Sequence, residues 1–332
     1  NTVVDASSPA NAALISNSKF ISDGTGHGLV VTGTAADIAL TNMTWTGFAA
    51  SDGSTGNEAI YINIATGTVN LNISGGTIPS VRTAGATVNK INAVTVKVTV
   101  KDANTLAVIE SARVLLEADS VATGTHTGAN NAATLTDSTK SFTTNALVNY
   151  RIYNTTDGSD GLITANTATT VTATLAGGTD NDWDTSDAYI IVGRPARNPV
   201  SITSVTTTAT VTHKNHGLAS GVSVAIRGAT EQEYNGIFTI SNVTTNTYDY
   251  TMSADPAGSA ATGSPTSTAV VLNGTTNASG IIQTTTFNFL ISQPVTGKAR
   301  KATTGTKYKG GILTGTITSS GLDTTVLLIP DE

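Results

Sequence analysis

Four aspartates, Asp180, Asp182, Asp184 and Asp187, stand around Trp183 in GGTDNDWDTSDAY. Alternating carboxylates on one loop are the hard oxygen donors that Ca²⁺ prefers. The stretch lacks the central Gly and the closing bidentate Glu of a helix–loop–helix calcium site. Asp also serves turns, so a hydrogen-bonded acidic turn with Trp183 on the core competes for the same residues. These four are weak Ca²⁺ candidates, and beyond that ion the sequence implies no cofactor and no catalytic residue.

His213 and His216 lie three apart in THKNHGL. On a helix that spacing brings two imidazoles to one metal, but TVTHKNHGLASG reads as a strand and then a turn, and no third ligand accompanies them. His27 and His126 sit singly among Gly and Thr. Asp23, Asp37, Asp52 and Glu58 fall in or beside turns, whereas paired acid–base chemistry on sugars needs carboxylates converging on one face. Trp45, Phe48 and Tyr61 offer rings for stacking on sugars or for filling a core.

The elements that must position these groups are strands. Of 332 residues 39% are hydrophobic, 12% charged and 5% aromatic, with 32 Gly. Such a chain, rich also in Thr, Ser and Asn, suits many short strands between tight turns, and the expected fold class is all-β. A formal net charge of −6 and the lack of a basic surface argue against nucleic acid as a partner. Lys298, Arg300, Lys301, Lys307 and Lys309 alternate with Gly and Thr and read as a solvated hairpin. With no Cys, disulfides and thiolate chemistry are excluded. No apolar run reaches the ~18 residues of a membrane helix. Residues 1 to 20 lack the order of a signal peptide, and a start at Asn1 leaves a processed leader open.

Residues 13 to 91 alternate apolar and polar in ALISNSKF, DIALTNMTW and TVNLNISGGT, each followed by a turn and a second short strand in HGLVVTG, EAIYINIATG and GATVNKI. Leu14, Leu40 and Leu71 are 26 and 31 positions apart, close to one coil of a right-handed parallel β-helix. That reading points Leu14, Val30, Leu40, Ile62 and Leu71 inward and puts Asn17 and Asn42 at turns where amides stack. An antiparallel sandwich of the same strands is the other reading.

Val94, Val96, Val98 and Val100 alternate with Thr95, Lys97, Thr99 and Lys101, as in a strand with one buried face. After a turn at Asp102 to Thr105, a second strand runs from Ile109 to Leu116. VTVKDANTLAVIESARVLL resembles the first hairpin of transthyretin-like, carboxypeptidase-regulatory-type immunoglobulin-like domains, and GTTNASGII at 274 to 282 resembles their Asn-x-x-Gly hairpin. The resemblance implies a sandwich closed by FNFLI, GKARKAT and TTVLLIP, with no active residues. The strands at 94 to 118 and 271 to 330 should then pair across everything between them.

Two blocks fill the interruption. The first carries LVNYRIYN, a DG turn and GLITANTATTVTATL; the second carries an HGL-x-x-G turn and a YNG-x-F hairpin. Both resemble modules of tailed-bacteriophage structural proteins, the second also a small barrel of ubiquitin-activating enzymes in fold alone. The expected domains are a β-helix-like 1–92, a split Ig-like sandwich at 93–119 plus 270–332, a β-module at 120–195 and a β-barrel module at 196–269. By analogy of fold and module, the expectation is a non-enzymatic virion protein of the head decoration, head fibre or tail fibre type. Its partners would be other virion proteins, its own copies as a homo-oligomer, preferably a trimer, and a host-surface glycan. A secreted bacterial or archaeal adhesin or S-layer-type protein is the alternative, and a glycan-degrading β-helix enzyme a remote one.

Overall fold

Short alternating segments between Gly-rich turns become strands throughout the computed structural model, which describes residues 4–49, 51–53, 56–256, 258–303 and 305–331. The chain is all-β, with 52% of residues in strands and 2% helical. No helix is long and apolar enough to cross a membrane among the described residues. Two compact units form: Asn1–Val96 with Thr284–Leu290 and Thr318–Gly321, and Lys97–Gln283 with Ile291–Ile317 and Leu322–Glu332.

The first unit begins with β1 (Val4–Ala6), a helical turn α1 (Pro9–Ala12), β2 (Lys19–Ile21), β3 (Leu29–Val31) and β4 (Ile38–Thr46). It continues with β5 (Ile60–Ile62), β6 (Thr68–Gly76), β7 (Val81–Thr83) and the start of β8 (Thr87–Asp102). These strands form two ladders, β1-β3-β5-β7 and β2-β4-β6-β8, in which the resolved registers are parallel. A chain that alternates between two parallel ladders climbs in coils, so this part is a β-solenoid rather than an antiparallel sandwich. Leu29, Val31, Ile60 and Ile62 from one ladder and Ile38, Leu40, Leu71 and Ile73 from the other fill its interior.

Parallel register also stacks polar side chains from coil to coil. Asn42 Nδ2 donates to Asn17 Oδ1 at 2.9 Å. Asn89 Nδ2 donates to Asn70 Oδ1 at 2.9 Å, and Asn70 Nδ2 to Asp37 Oδ1 at 2.8 Å. Asn17 and Asn42 hold φ of 52° and 49°, a left-handed conformation that Asn tolerates better than most residues.

Three expectations for this region are corrected. Leu14 does not point inward but is 80% exposed. It lies in the turn closed by its own N–H on the Asn11 carbonyl, outside any strand. Val30 is half-buried while Leu29 and Val31 are buried, because a three-residue strand aims its ends one way and its centre the other. GATVNKI at 85–91 is not the second strand of its coil: β7 takes that place beside β5, while 85–91 passes the Ile64 and Gly67 carbonyls and enters β8 beside β6.

The second unit carries β8 onward to Asp102 and adds β9 (Arg113–Ala118). Val96, Val98 and Val100 are fully buried, and Asp102 closes the following turn by accepting from Asn104 N–H and Thr105 N–H at 2.8 and 2.9 Å. The first block then supplies β10 (Ala122–Thr125), β11 (Thr134–Thr136), β12 (Arg151–Asn154), β13 (Asp160–Asn166), β14 (Thr170–Ala173) and β15 (Ala188–Val192). They make one sheet, ordered β10-β15-β12-β13-β14-β11. The second block supplies β16 (Asn198–Pro199), β17 (Ser201–Val205), β18 (Thr208–Thr212), β19 (Ser223–Ala229), β20 (Gly236–Thr239) and β21 (Thr247–Thr251). The chain closes with β22 (Gly263–Thr275), β23 (Ile281–Asn288), β24 (Gln293–Lys301), β25 (Tyr308–Ile317) and β26 (Leu322–Leu328).

Strand β9 pairs on one side with β22 and on the other with β24, placing Leu116 between Leu272 and Gly297. The early part of β22 pairs instead with β19 of the second block, Val224 facing Ala269. One sheet, β20-β19-β22-β9-β24-β25, thus runs through both, and the expected boundary between 269 and 270 falls inside β22. The two blocks also meet at Asp160, which is 3% exposed. It pairs with Arg151 and accepts from Asn215 Nδ2 at 3.0 Å.

Two substitutions test the solenoid. Leu71→Ala should cost about 3 kcal/mol of unfolding free energy, the range for a large-to-small change in a packed core. Gly76 holds φ +75°, and a Cβ there would strike the Met43 carbonyl, so Gly76→Ala should destabilise as well. Urea denaturation of each full-length variant measures both losses.

Candidate functional site

The acidic loop joins β14 to β15 in the first block. Trp183 anchors it: its backbone N–H donates to the Ala132 carbonyl at 2.9 Å, and the Ala132 N–H donates to the Trp183 carbonyl at 3.0 Å. The ring is 1% exposed, stacked near His126 and edge-on to Tyr189. A large apolar ring at the centre of a polar run thus pins the loop, with Asp182 and Asp184 half-buried on either side and Asp180 exposed.

The structure brings three of the four aspartates together. One carboxylate oxygen each from Asp180, Asp182 and Asp184 lies within 4.8 Å of the others. Asp180 Oδ1 accepts the Asn181 N–H and Asp184 Oδ1 the Asn131 N–H, both at 2.8 Å. Asp187 has a different job: it is buried, and its Oδ2 accepts from Asn154 Nδ2 and from the Asp184 N–H, both at 2.8 Å. Desolvation, followed by repulsion from Asp180, Asp184, Asp157 and Asp187, pushes the Asp182 carboxyl above the usual aspartate range. Asp180, Asp182 and Asp184 are therefore the residues that could hold a hard cation, whose charge would relieve that repulsion. Asp187 shapes the turn.

The histidine pair lies in the core of the second block. His213 is 3% and His216 4% exposed, with ring centroids 5.8 Å apart. His216 Nδ1 accepts the Leu218 N–H at 3.0 Å, which fixes the HGL turn. Neither ring nitrogen of His213 has a hydrogen-bond partner. Burial, aided by His216, depresses the His213 pKa to about 3, and burial lowers that of His216 as well. Both rings pack near Tyr248, whose hydroxyl donates to Ser267 Oγ at 2.6 Å. Two neutral imidazoles here act as aromatic filler.

On the solenoid the carboxylates stay apart in local roles. Asp37 accepts from Asn70, Asp23 from Thr25, and the Glu58 side chain from the Gly56 N–H. Asp52 pairs with Lys90 at 2.9 Å and accepts the Val81 N–H at 2.8 Å. Trp45 lies between Phe20, stacked at 4.7 Å, and Phe48, edge-on at 6.1 Å. Tyr61 packs against His27 at 5.1 Å and carries the Arg82 guanidinium 5.3 Å from its centroid.

Sequence reasoning missed Asp137 and Asp160. Asp137 is 1% exposed and accepts from Tyr189 OH at 2.8 Å and Thr139 Oγ1 at 2.6 Å. Burial works to raise its pKa, but these bonds outweigh it and leave the value low. The Asp-x-Thr spacing at 137–139 is the one local signal, an Asx-type turn; the Tyr189 contact spans 52 positions and has none. No protein-family model matches the chain, and no curated protein or solved structure matches it.

His213 and His216 set a pH dependence. Above 6.5 they are neutral folded and unfolded; below it the unfolded chain takes protons that the folded chain refuses, so stability falls towards pH 3. Carboxylates held low, such as Asp102, Asp137 and Glu231, lose their contribution only below the ordinary 3.8 to 4.5. Melting temperature should therefore decline from pH 6.5 to 5 in the wild type, and His213→Leu should flatten that decline. In the acidic loop, Asp182→Asn should raise the melting temperature at pH 7 in calcium-free buffer, as read by scanning calorimetry.

Proposed function

We propose that this chain is a non-enzymatic structural component of a bacteriophage virion, a head decoration or fibre or a tail-associated fibre, acting by assembly and surface display. The observation that carries the reading is β22, a single strand that serves both the second inserted block and the interrupted sandwich. Backbone hydrogen bonds, rather than a flexible linker, hold that block in place. A module mounted so is suited to being presented at a fixed position. The resemblance of both blocks to phage structural modules supplies the context, as an argument from analogy.

In this reading the solenoid and the sandwich are the mount, and the blocks face neighbours or a host-surface glycan. The chain assembles as a homotrimer, with other virion proteins as partners. Mass spectrometry of gradient-purified particles should find it at constant copy number, and light scattering of the isolated protein should give about three times 33.6 kDa. Recovery from the cell envelope alone, with none in particles, would replace this reading with the adhesin one.

A further inference from the structure

Among the described residues, the first coil of the solenoid ends in a strand with one unpaired side. In the order β2-β4-β6-β8-β23, β2 is terminal and pairs with β4. Thr44 N–H donates to the Ser18 carbonyl at 2.9 Å, and Ser22 N–H to the Thr46 carbonyl at 2.8 Å. Residues 18, 20 and 22 therefore direct their backbone groups at β4. Alternate residues of a strand turn theirs the other way, which aims the N–H and C=O of Lys19 and Ile21 at the open side. Both residues are exposed, Ile21 at 66%.

The side chains on this edge belong to stacks that stop there. Phe20 is in register with Trp45 and lies on it with ring centroids 4.7 Å apart and planes 16° apart, close to the spacing of paired strands. Met43 pairs with Gly76, so the same register sets Asn42 over Gly75. Three coils repeat one pattern: Asn17-x-x-Phe20, Asn42-x-x-Trp45 and Gly75-x-x-Ile78. Each begins with a left-handed residue, at φ 52°, 49° and 73°. Beyond Asn17 and Phe20 no further coil follows among the described residues.

A cleft of about 400 Å³ lies along this edge, lined by Ser18, Lys19, Phe20, Ile21, His27 and Phe48. Lys19 forms no ion pair among the described residues. His27 Nδ1 donates to the Glu58 carbonyl at 2.7 Å.

We propose that β2 is a docking edge for an extended strand of a partner polypeptide, added in parallel register, with Asn or Gly over Asn17, an acidic residue beside Lys19 and an aromatic residue over Phe20. Main-chain bonds to Lys19 and Ile21 supply affinity and the three side-chain positions supply selectivity, as in other strand additions. A lysine on an open edge discourages indiscriminate pairing, so the acidic residue distinguishes the right strand from the wrong one. The proposal needs only the solenoid and is independent of the virion reading.

The chain's own second coil provides the probe. A synthetic peptide of residues 39–47, ALTNMTWTG, carrying Thr44→Glu, is titrated into the full-length protein, with binding read by calorimetry and by amide hydrogen exchange. Saturable binding is expected, with at least tenfold slower exchange at the Lys19 and Ile21 amides. Lys19→Glu should weaken binding at least tenfold, and a Thr44→Lys version of the peptide should restore it. A Trp45→Ser peptide should bind at least tenfold more weakly. Absence of binding to a protein whose β4–β6 amides stay protected overturns the proposal, as does binding that leaves Lys19 and Ile21 unprotected. Protection of these amides by glucuronate but not by the peptide overturns it too, because the cleft would then be a saccharide site.

Discussion

A strand must find partners for its backbone groups on both sides or leave them to water, and in the second unit that constraint falls on the six residues Arg113–Ala118. Their two neighbours come from the far side of both inserted blocks, and the contact of Ala112 N–H with Thr276 Oγ1 spans 164 positions. Leu116 and Val114 are fully buried there, so backbone pairing and core formation are one event. The inserted blocks can fold only into arrangements that return the chain to this strand. β22 meets the demand by lying along β19 first and β9 afterwards, with the register shifting between Val270 and Leu272.

The solenoid answers the same constraint locally. Its neighbours are separated by one coil, and each coil repeats the positions of the last. Repetition turns weak contacts into ladders: Asp37, Asn70 and Asn89 share amide and carboxylate bonds on one face, Asn17 and Asn42 on another. Each bond adds on the order of 1 kcal/mol in net stability. Their larger effect is on register, since a slip of one residue would break every ladder and turn the core residues outward.

Two sites of electrostatic strain in the second unit differ in burial. Trp183 fixes the acidic loop from inside, and the cluster of Asp180, Asp182 and Asp184 meets solvent with its repulsion only partly relieved. His213 and His216 are sealed in and stay neutral, so packing has taken precedence over their capacity for charge. Asp160 is also sealed in, but a guanidinium and an amide satisfy it. Partners that converge on a buried carboxylate offset its lost hydration, whereas an imidazole without them gives its charge up.

Local pattern alone determined the all-β class, the alternating face of Val94 to Val100 and the Asp102 turn, because period and turn chemistry are properties of neighbouring residues. The stacked Asn17 and Asn42 were legible for the same reason: a residue tolerant of positive φ recurs at coil spacing. Leu14 and Val30 were misplaced because an apolar residue beside a turn carries no mark of which way its backbone faces. Among the four aspartates, proximity was legible, but nothing local separates Asp180, Asp182 and Asp184 from the buried Asp187, whose role depends on Asn154 in β12. The sharing of β22, the burial of Asp160 and the open edge of β2 were decided only by the tertiary structure. Each depends on which distant backbone lies alongside, and hydrogen-bond partners that far apart leave no periodic trace in the chain.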